Sequence, residues 1–132
     1  MSAALKHPTV EAVIAIHAEV LAAHGGSPGL RSRELLESAV AAPQASMMGV
    51  PVMTEPIEIA AAYFFYLCSN HPFVDGNKRV GHAAAEAFLM LNGVELIAPV
   101  DESENVVVAL AAGQLPREEL LSWIRQHCFP LK

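Results

Sequence analysis

Nine consecutive residues hold most of the reactive chemistry in this chain: His71-Pro72-Phe73-Val74-Asp75-Gly76-Asn77-Lys78-Arg79. His71 can accept a proton near neutral pH. Asp75 offers a hard carboxylate oxygen, which suits a magnesium ion bridging phosphates. Asp75-Gly76-Asn77 is turn chemistry and a helix start, which puts Lys78 and Arg79 in the first turn of the new helix. A helix N-terminus already carries about half a positive charge and several unpaired N–H groups. Two cations there are unfavourable unless something negative is bound. Free amides with cations beside them suit a phosphate chain. General base, metal ligand, anion cradle and charge clamp are the parts of a phosphoryl- or nucleotidyl-transfer site.

Each residue also has a plainer reading. A lone His71 is more often a loop histidine bonded to a carbonyl. Asp75 is of the type that caps helices, Gly76 of the type that makes turns, and Asn77 of either. Lys78 and Arg79 as solvated cations would cost only about 0.3–1 kcal/mol each. Pro72 and Phe73 read as anchors of the loop. His82 shares a helix face with Lys78 and Glu86, so it either pairs with Glu86 or reaches a phosphate. His17, His24 and His127 have no partner visible in the sequence and are expected at the surface.

Two long apolar segments with helical spacing, residues 57–70 and 80–92, flank the loop. Pro72 should push His71 into an extended backbone and end the first of them near Asn70. Thr9 can cap a helix running to about His24, stopped by Gly25-Gly26. A second helix is expected from about Ser32 to Ala42, ended by Pro43. Residues 43–56 are the least regular, with Gly49, Pro51 and Met47, Met48 and Met53. They read as a surface connection whose methionines fill core gaps, or as a flap that pairs with an extended segment of a target. A third helix starts at Thr54 or Glu55 and is apolar on most sides, the mark of a central helix. The fourth should bury Val80, Ala84, Ala87 and Leu91 and stop at Asn92-Gly93. Residues 94–98 are a short extended piece. Asp101 with Glu104 makes a capping box for a fifth helix. Pro116 fits the first turn of a last helix whose Leu120, Leu121, Trp123 and Ile124 face inward.

The 132 residues form one domain, residues 1–132, large enough for its own core. Net charge is −6 with only 8 Lys+Arg, which argues against direct DNA or general nucleic-acid binding. Cys68 and Cys128 sit in apolar helical patterns and read as buried thiols. No basic-then-apolar leader opens the sequence, and its apolar runs are too short to span a membrane. A soluble, reducing, cytoplasmic setting is expected.

Residues 71–79 resemble the signature of the Fic/Doc family, His-x-Phe-x-Asp/Glu-Gly-Asn-(Gly/Lys)-Arg. Lys78 matches the death-on-curing (Doc) branch, because the adenylylating Fic branch has Gly there. Fic enzymes also carry a second Arg where this chain has His82. Gly25-Gly26-Ser27-Pro28-Gly29-Leu30-Arg31, Leu35-Leu36-Glu37-Ser38-Ala39, Ala42-Pro43-Gln44 and Leu91-Asn92-Gly93 extend the similarity over nearly the whole chain. The resemblance implies an all-α bundle of about six helices with at most a short strand, and a target-positioning flap at 43–56. It implies a Doc-type toxin that moves the γ-phosphate of ATP, with Mg²⁺, to a protein hydroxyl. The target would be a threonine of elongation factor Tu, and translation would stop. His71 would be the base and Asp75 the metal ligand. Gly76, Asn77, Lys78 and Arg79 would hold phosphate, with His82 standing where the second Arg is missing. A side chain at 78 should obstruct the phosphate pose used for adenylyl transfer. The alternatives are AMP transfer to a protein hydroxyl and an inactive nucleotide- or partner-binding protein. The internal brake of many Fic proteins, Ser/Thr-x-x-x-Glu-Gly/Asn, is broken here by Ile59 after Thr54 and Glu58. Inhibition would then come from a partner, a small Phd-like antitoxin whose tail folds onto the toxin.

Overall fold

A computed structural model describes residues 5–131. In chain order the elements are α1 (Val10–His24), α2 (Arg33–Ala41), a 3-10 turn (Ala42–Gln44), β1 (Ser46–Met47), β2 (Val50–Pro51), α3 (Pro56–Asn70), α4 (Asn77–Leu91), β3 (Val94–Leu96), α5 (Val100–Ala111), α6 (Arg117–Gln126) and β4 (Cys128–Pro130). The architecture is an all-α bundle of six helices with two short antiparallel strand pairs, β1 with β2 and β3 with β4. No helix among the described residues is long and apolar enough to cross a membrane.

α3 is the centre. Ile59 through Phe64, Leu67 and Cys68 are all buried, so the helix has neighbours on most of its sides. α4 lies close along it because Gly81 has no side chain: a Cβ there would sit 3.0 Å from both Cys68 Sγ and the Phe64 carbonyl oxygen. Thr9 caps α1 by accepting a hydrogen bond from Ala12 N, and Ser32 caps α2 by accepting one from Leu35 N. Both caps are local; that of Thr9 was read from residue type, whereas Ser32 was expected only as the approximate start of its helix.

Several expectations need correction. The buried face of α4 is Val80, Ala84, Ala85, Phe88 and Leu89, while Leu91 is exposed, because the helix is rotated toward α3 and the apolar periodicity was broad enough to allow either face. α2 does end before Pro43, as expected, but the chain goes on in a 3-10 turn with Pro43 in its first positions, where its missing N–H is not needed. The Asp101–Glu104 capping box does not form. Pro99 occupies the cap of α5, Ser103 bonds back to the Pro99 carbonyl, and Glu104 turns to a different partner. Met47 and Met48 fill no core gap, being 71% and 99% exposed. β4 was not anticipated; three residues are too few to show a period, and its pairing to β3 (Leu96 opposite Cys128) is set by chain geometry. Cys68 is buried and Cys128 only partly so, both as free thiols.

Candidate active site

The loop between α3 and α4 is built by contacts from the far end of the chain. α3 ends at Asn70 as anticipated, but His71 is not extended: it adopts the left-handed conformation, φ 49° and ψ 54°. That backbone costs about 1–3 kcal/mol in a non-glycine residue and needs external support. Arg31 supplies it, donating from Nε to the His71 carbonyl (2.6 Å) and from Nη2 to the Asn70 carbonyl (3.0 Å). The next residues pair with the segment before α2. Pro72 O accepts from Arg31 N and Ser32 N, Val74 N donates to Gly29 O, and Leu30 bridges Phe73.

Phe73 points into the core and stacks on buried His17, ring centroids 3.8 Å apart and 8° from parallel. His17 Nε2 in turn donates to the Asp75 carbonyl at 2.7 Å, which requires its proton on Nε2. His17 is therefore a buried support of the loop and not the surface residue expected. Asn77, also buried, closes the loop from inside. Its Oδ1 accepts from Phe73 N and its Nδ2 donates to Phe73 O, each at 3.0 Å. The same Nδ2 lies 3.4 Å from His71 Nδ1. Nε2 of the exposed His71 ring makes no hydrogen bond among the described residues.

Asp75 does not cap α4. Its Oδ2 accepts from Ser27 N (3.1 Å) and its Oδ1 from Gly76 N (2.8 Å). These two amides, Ser27 first, hold the carboxyl below its ordinary range, with smaller help from the Arg79 and His17 charges. The carboxylate is exposed and ionised, and each oxygen keeps a lone pair for another partner. Gly26 makes room for it: a Cβ there would fall 2.9 Å from Asp75 Oδ2.

The cap position of α4 is Gly76, in the left-handed region at φ 78°, with no side chain capping the helix and no acidic residue in its first turn. The first helical bond is Val80 N to Gly76 O, so the amides of Asn77, Lys78 and Arg79 have no partner within the helix. Lys78 projects to solvent. Arg79 is half-buried, and its Nε donates to Glu104 Oε1 of α5 at 2.9 Å. His71, Val74 through Arg79, and Glu104 together line a cavity of about 370 Å³.

His82 is not in that cavity. It is buried beside Phe64, and its Nε2 has no hydrogen-bond partner among the described residues. It borders a smaller cavity of about 210 Å³ with Arg79, His24 and Glu86. Burial lowers its pKa, against a smaller opposing pull from the Glu104 carboxylate. Of the residues singled out in the sequence, His71, Asp75, Gly76, Asn77, Lys78 and Arg79 converge on one cavity. Glu104, which also lines it, was missed, as were His17, Ser27 and Arg31, which hold the loop in place from outside the cavity. His127, also expected at the surface, is half-buried and bonded to the Trp123 carbonyl.

A protein-family model, that of the Fic/DOC family, matches residues 7–89. The chain is 44% identical over 91 residues to "Toxin Doc" of Mycolicibacterium smegmatis, covering 67% of this chain and 70% of that protein. It is 27% identical over 122 residues to "Protein kinase doc" of Escherichia phage P1, covering 92% and 95% respectively. Among solved structures, residues 134–508 of Fic-1 from C. elegans superpose with a TM-score of 0.71 at 21% identity, over 92% of this chain and 40% of that one. That likeness concerns the fold.

Proposed function

The chain belongs to the Fic/DOC family, and from that premise we propose that it is a Doc-type toxin that transfers the γ-phosphate of ATP to a protein hydroxyl. The reading is carried by one observation. α4 begins uncapped, with the amides of Asn77, Lys78 and Arg79 and two cations opening on a cavity that His71 borders. The two relatives, one named a toxin and one a protein kinase, support it.

The residues divide the work as follows. The amides at the start of α4, with Lys78 and Arg79, hold phosphate oxygens in a field that favours anions. Asn77 keeps the loop rigid, so that these donors are in place before the nucleotide arrives. His71 removes the proton of the attacking hydroxyl as the general base. The new bond joins that hydroxyl oxygen to the γ-phosphorus, the β–γ bridging bond breaks, and ADP leaves. His82 lies outside the cavity and takes no part in this assignment.

The donor set also fits magnesium. Asp75 presents one ionised carboxylate at the cavity. No group of three or more His, Cys, Asp or Glu among the described residues could cage a metal. One carboxylate plus phosphate oxygens is the ordinary magnesium arrangement. When bound, the ion would offset charge on the phosphates.

The protein acted on is proposed to be elongation factor Tu, at a threonine, with arrest of translation as the outcome. A small Phd-like antitoxin is the proposed inhibitor. Incubation with elongation factor Tu and ATP labelled at the α or the γ position tests the chemistry. Label arriving from the γ position, with a mass gain of one phosphate on the target, is the expected result. Label from the α position would assign AMP transfer instead. Growth arrest that is equal for the parent and for His71→Ala would mean a binding protein without this chemistry.

A further inference from the structure

Glu104 is a carboxylate placed against a site meant for anions, which by charge alone is unfavourable. Its contact with Arg79 resolves the conflict. The hydrogen bond runs through Nε at 2.9 Å, the flank of the guanidinium. The terminal Nη1 and Nη2 make no hydrogen bond among the described residues. A carboxylate acting as a stopper would be expected to take the terminal pair of donors, the fork that binds phosphate or carboxylate bidentately. A bond from the flank leaves that fork free and fixes the plane in which it lies. Both partners are mostly shielded, the side chains being 38% and 28% exposed, so the arrangement is held more firmly than a surface pair would be.

We propose that Glu104 is a positioning residue: it orients Arg79 so that its two terminal nitrogens face the phosphate chain. The inference rests on the assignment of Arg79 to phosphate given above. It places one functional residue on α5, which among the described residues contributes nothing else to the cavity. The small cost in charge is exchanged for a guanidinium that need not be ordered when the nucleotide binds, the usual gain from preorganisation.

Two substitutions separate orientation from charge. Glu104→Gln and Glu104→Ala remove the same negative charge, but only glutamine keeps an oxygen to accept from Arg79 Nε. Calorimetric titration of the full chain with ATP and magnesium should show Glu104→Gln binding at least as tightly as the parent. Glu104→Ala should bind about tenfold more weakly than Glu104→Gln, the size expected for one hydrogen bond to a charged group. In an Arg79→Ala background the difference between the two should vanish. Equal affinities for Glu104→Ala and Glu104→Gln, or a difference that persists without Arg79, would overturn the proposal. If Arg79→Ala alone binds ATP as the parent does, the phosphate assignment itself fails, a distinct result. Thermal midpoints measured alongside confirm that each variant is folded.

Discussion

The loop at residues 71–79 and the hairpin β1–β2 are both connections between helices, yet they are built in opposite ways. The loop is tied on every side: Arg31 holds its entry, Asn77 its middle, His17 and Ser27 the residue that binds metal in our assignment. The hairpin has two strand residues on each side, and Met47, Met48, Val50 and Val52 are all exposed. A donor array for phosphate gains from rigidity, because its dipoles must be aimed before the charge arrives. A surface that pairs with another chain's backbone gains from exposed edges and apolar side chains. On the proposed reading, with nucleotide at the loop and target at the hairpin, the nucleotide end is preassembled and the target end is completed by what binds it.

The largest effect should come from His71→Ala, which tests the loop's chemistry without its framework. Transfer should fall by about 10²–10⁴-fold while ATP affinity and thermal midpoint stay near the parent's. A matching fall in ATP affinity would show that His71 holds the loop together instead of acting as its base.

Asn77→Ala attacks the framework. It leaves the buried Phe73 N–H and C=O without their partner, at about 1–3 kcal/mol each. Denaturant unfolding should register this as a global loss of stability. Gly26→Ala is gentler. It puts a Cβ against Asp75 Oδ2 in a backbone at φ 122°, and should cost about 1–2 kcal/mol. By contrast Met48→Ser, at a residue 99% exposed, should change stability by less than about 0.5 kcal/mol. Its effect should be a slower modification of the target at unchanged ATP affinity. If Met48→Ser destabilised as much as Gly26→Ala, the two regions would not differ in the way described.

The smallest effect concerns His82. Burial holds its pKa below the ordinary 6.5. The unfolded chain therefore takes the proton more readily, so stability is full above about pH 6.5 and falls as pH drops through the lower folded value. His82→Leu should flatten that fall between neutral pH and pH ~5. The flattening should be partial, since burial also lowers the pKa of His7. ATP affinity should not change; a loss would return His82 to the phosphate-binding set.

What could be read from the sequence was whatever is local in the chain. His71 through Arg79 form one uninterrupted stretch, so their convergence needed only a helix start, and Thr9 caps the helix that follows it. The supports are remote. His17 is 58 residues from the carbonyl it bonds, Arg31 is 40 from His71, and Glu104 is 25 from Arg79. Pairing at those separations is decided by how helices pack, which a periodic pattern does not specify. Arg31 is the last residue of the Gly25–Arg31 similarity and His17 lies in the helix before it, so that stretch was a signal for the first but not for the second. Glu104 had a false local explanation: its spacing from Asp101 reads as a capping box, and Pro99 takes that place. The backbone of His71 was misjudged because the rule for residues before proline was outweighed by two hydrogen bonds from Arg31.

The most direct test of the account is amide hydrogen exchange with and without ATP and magnesium. Exchange at Asn77, Lys78 and Arg79 should slow when the nucleotide is added, while Ser46–Met47 and Val50 stay unchanged. Slowing confined to the hairpin, or no slowing at the start of α4, would contradict the claim that phosphate is held there.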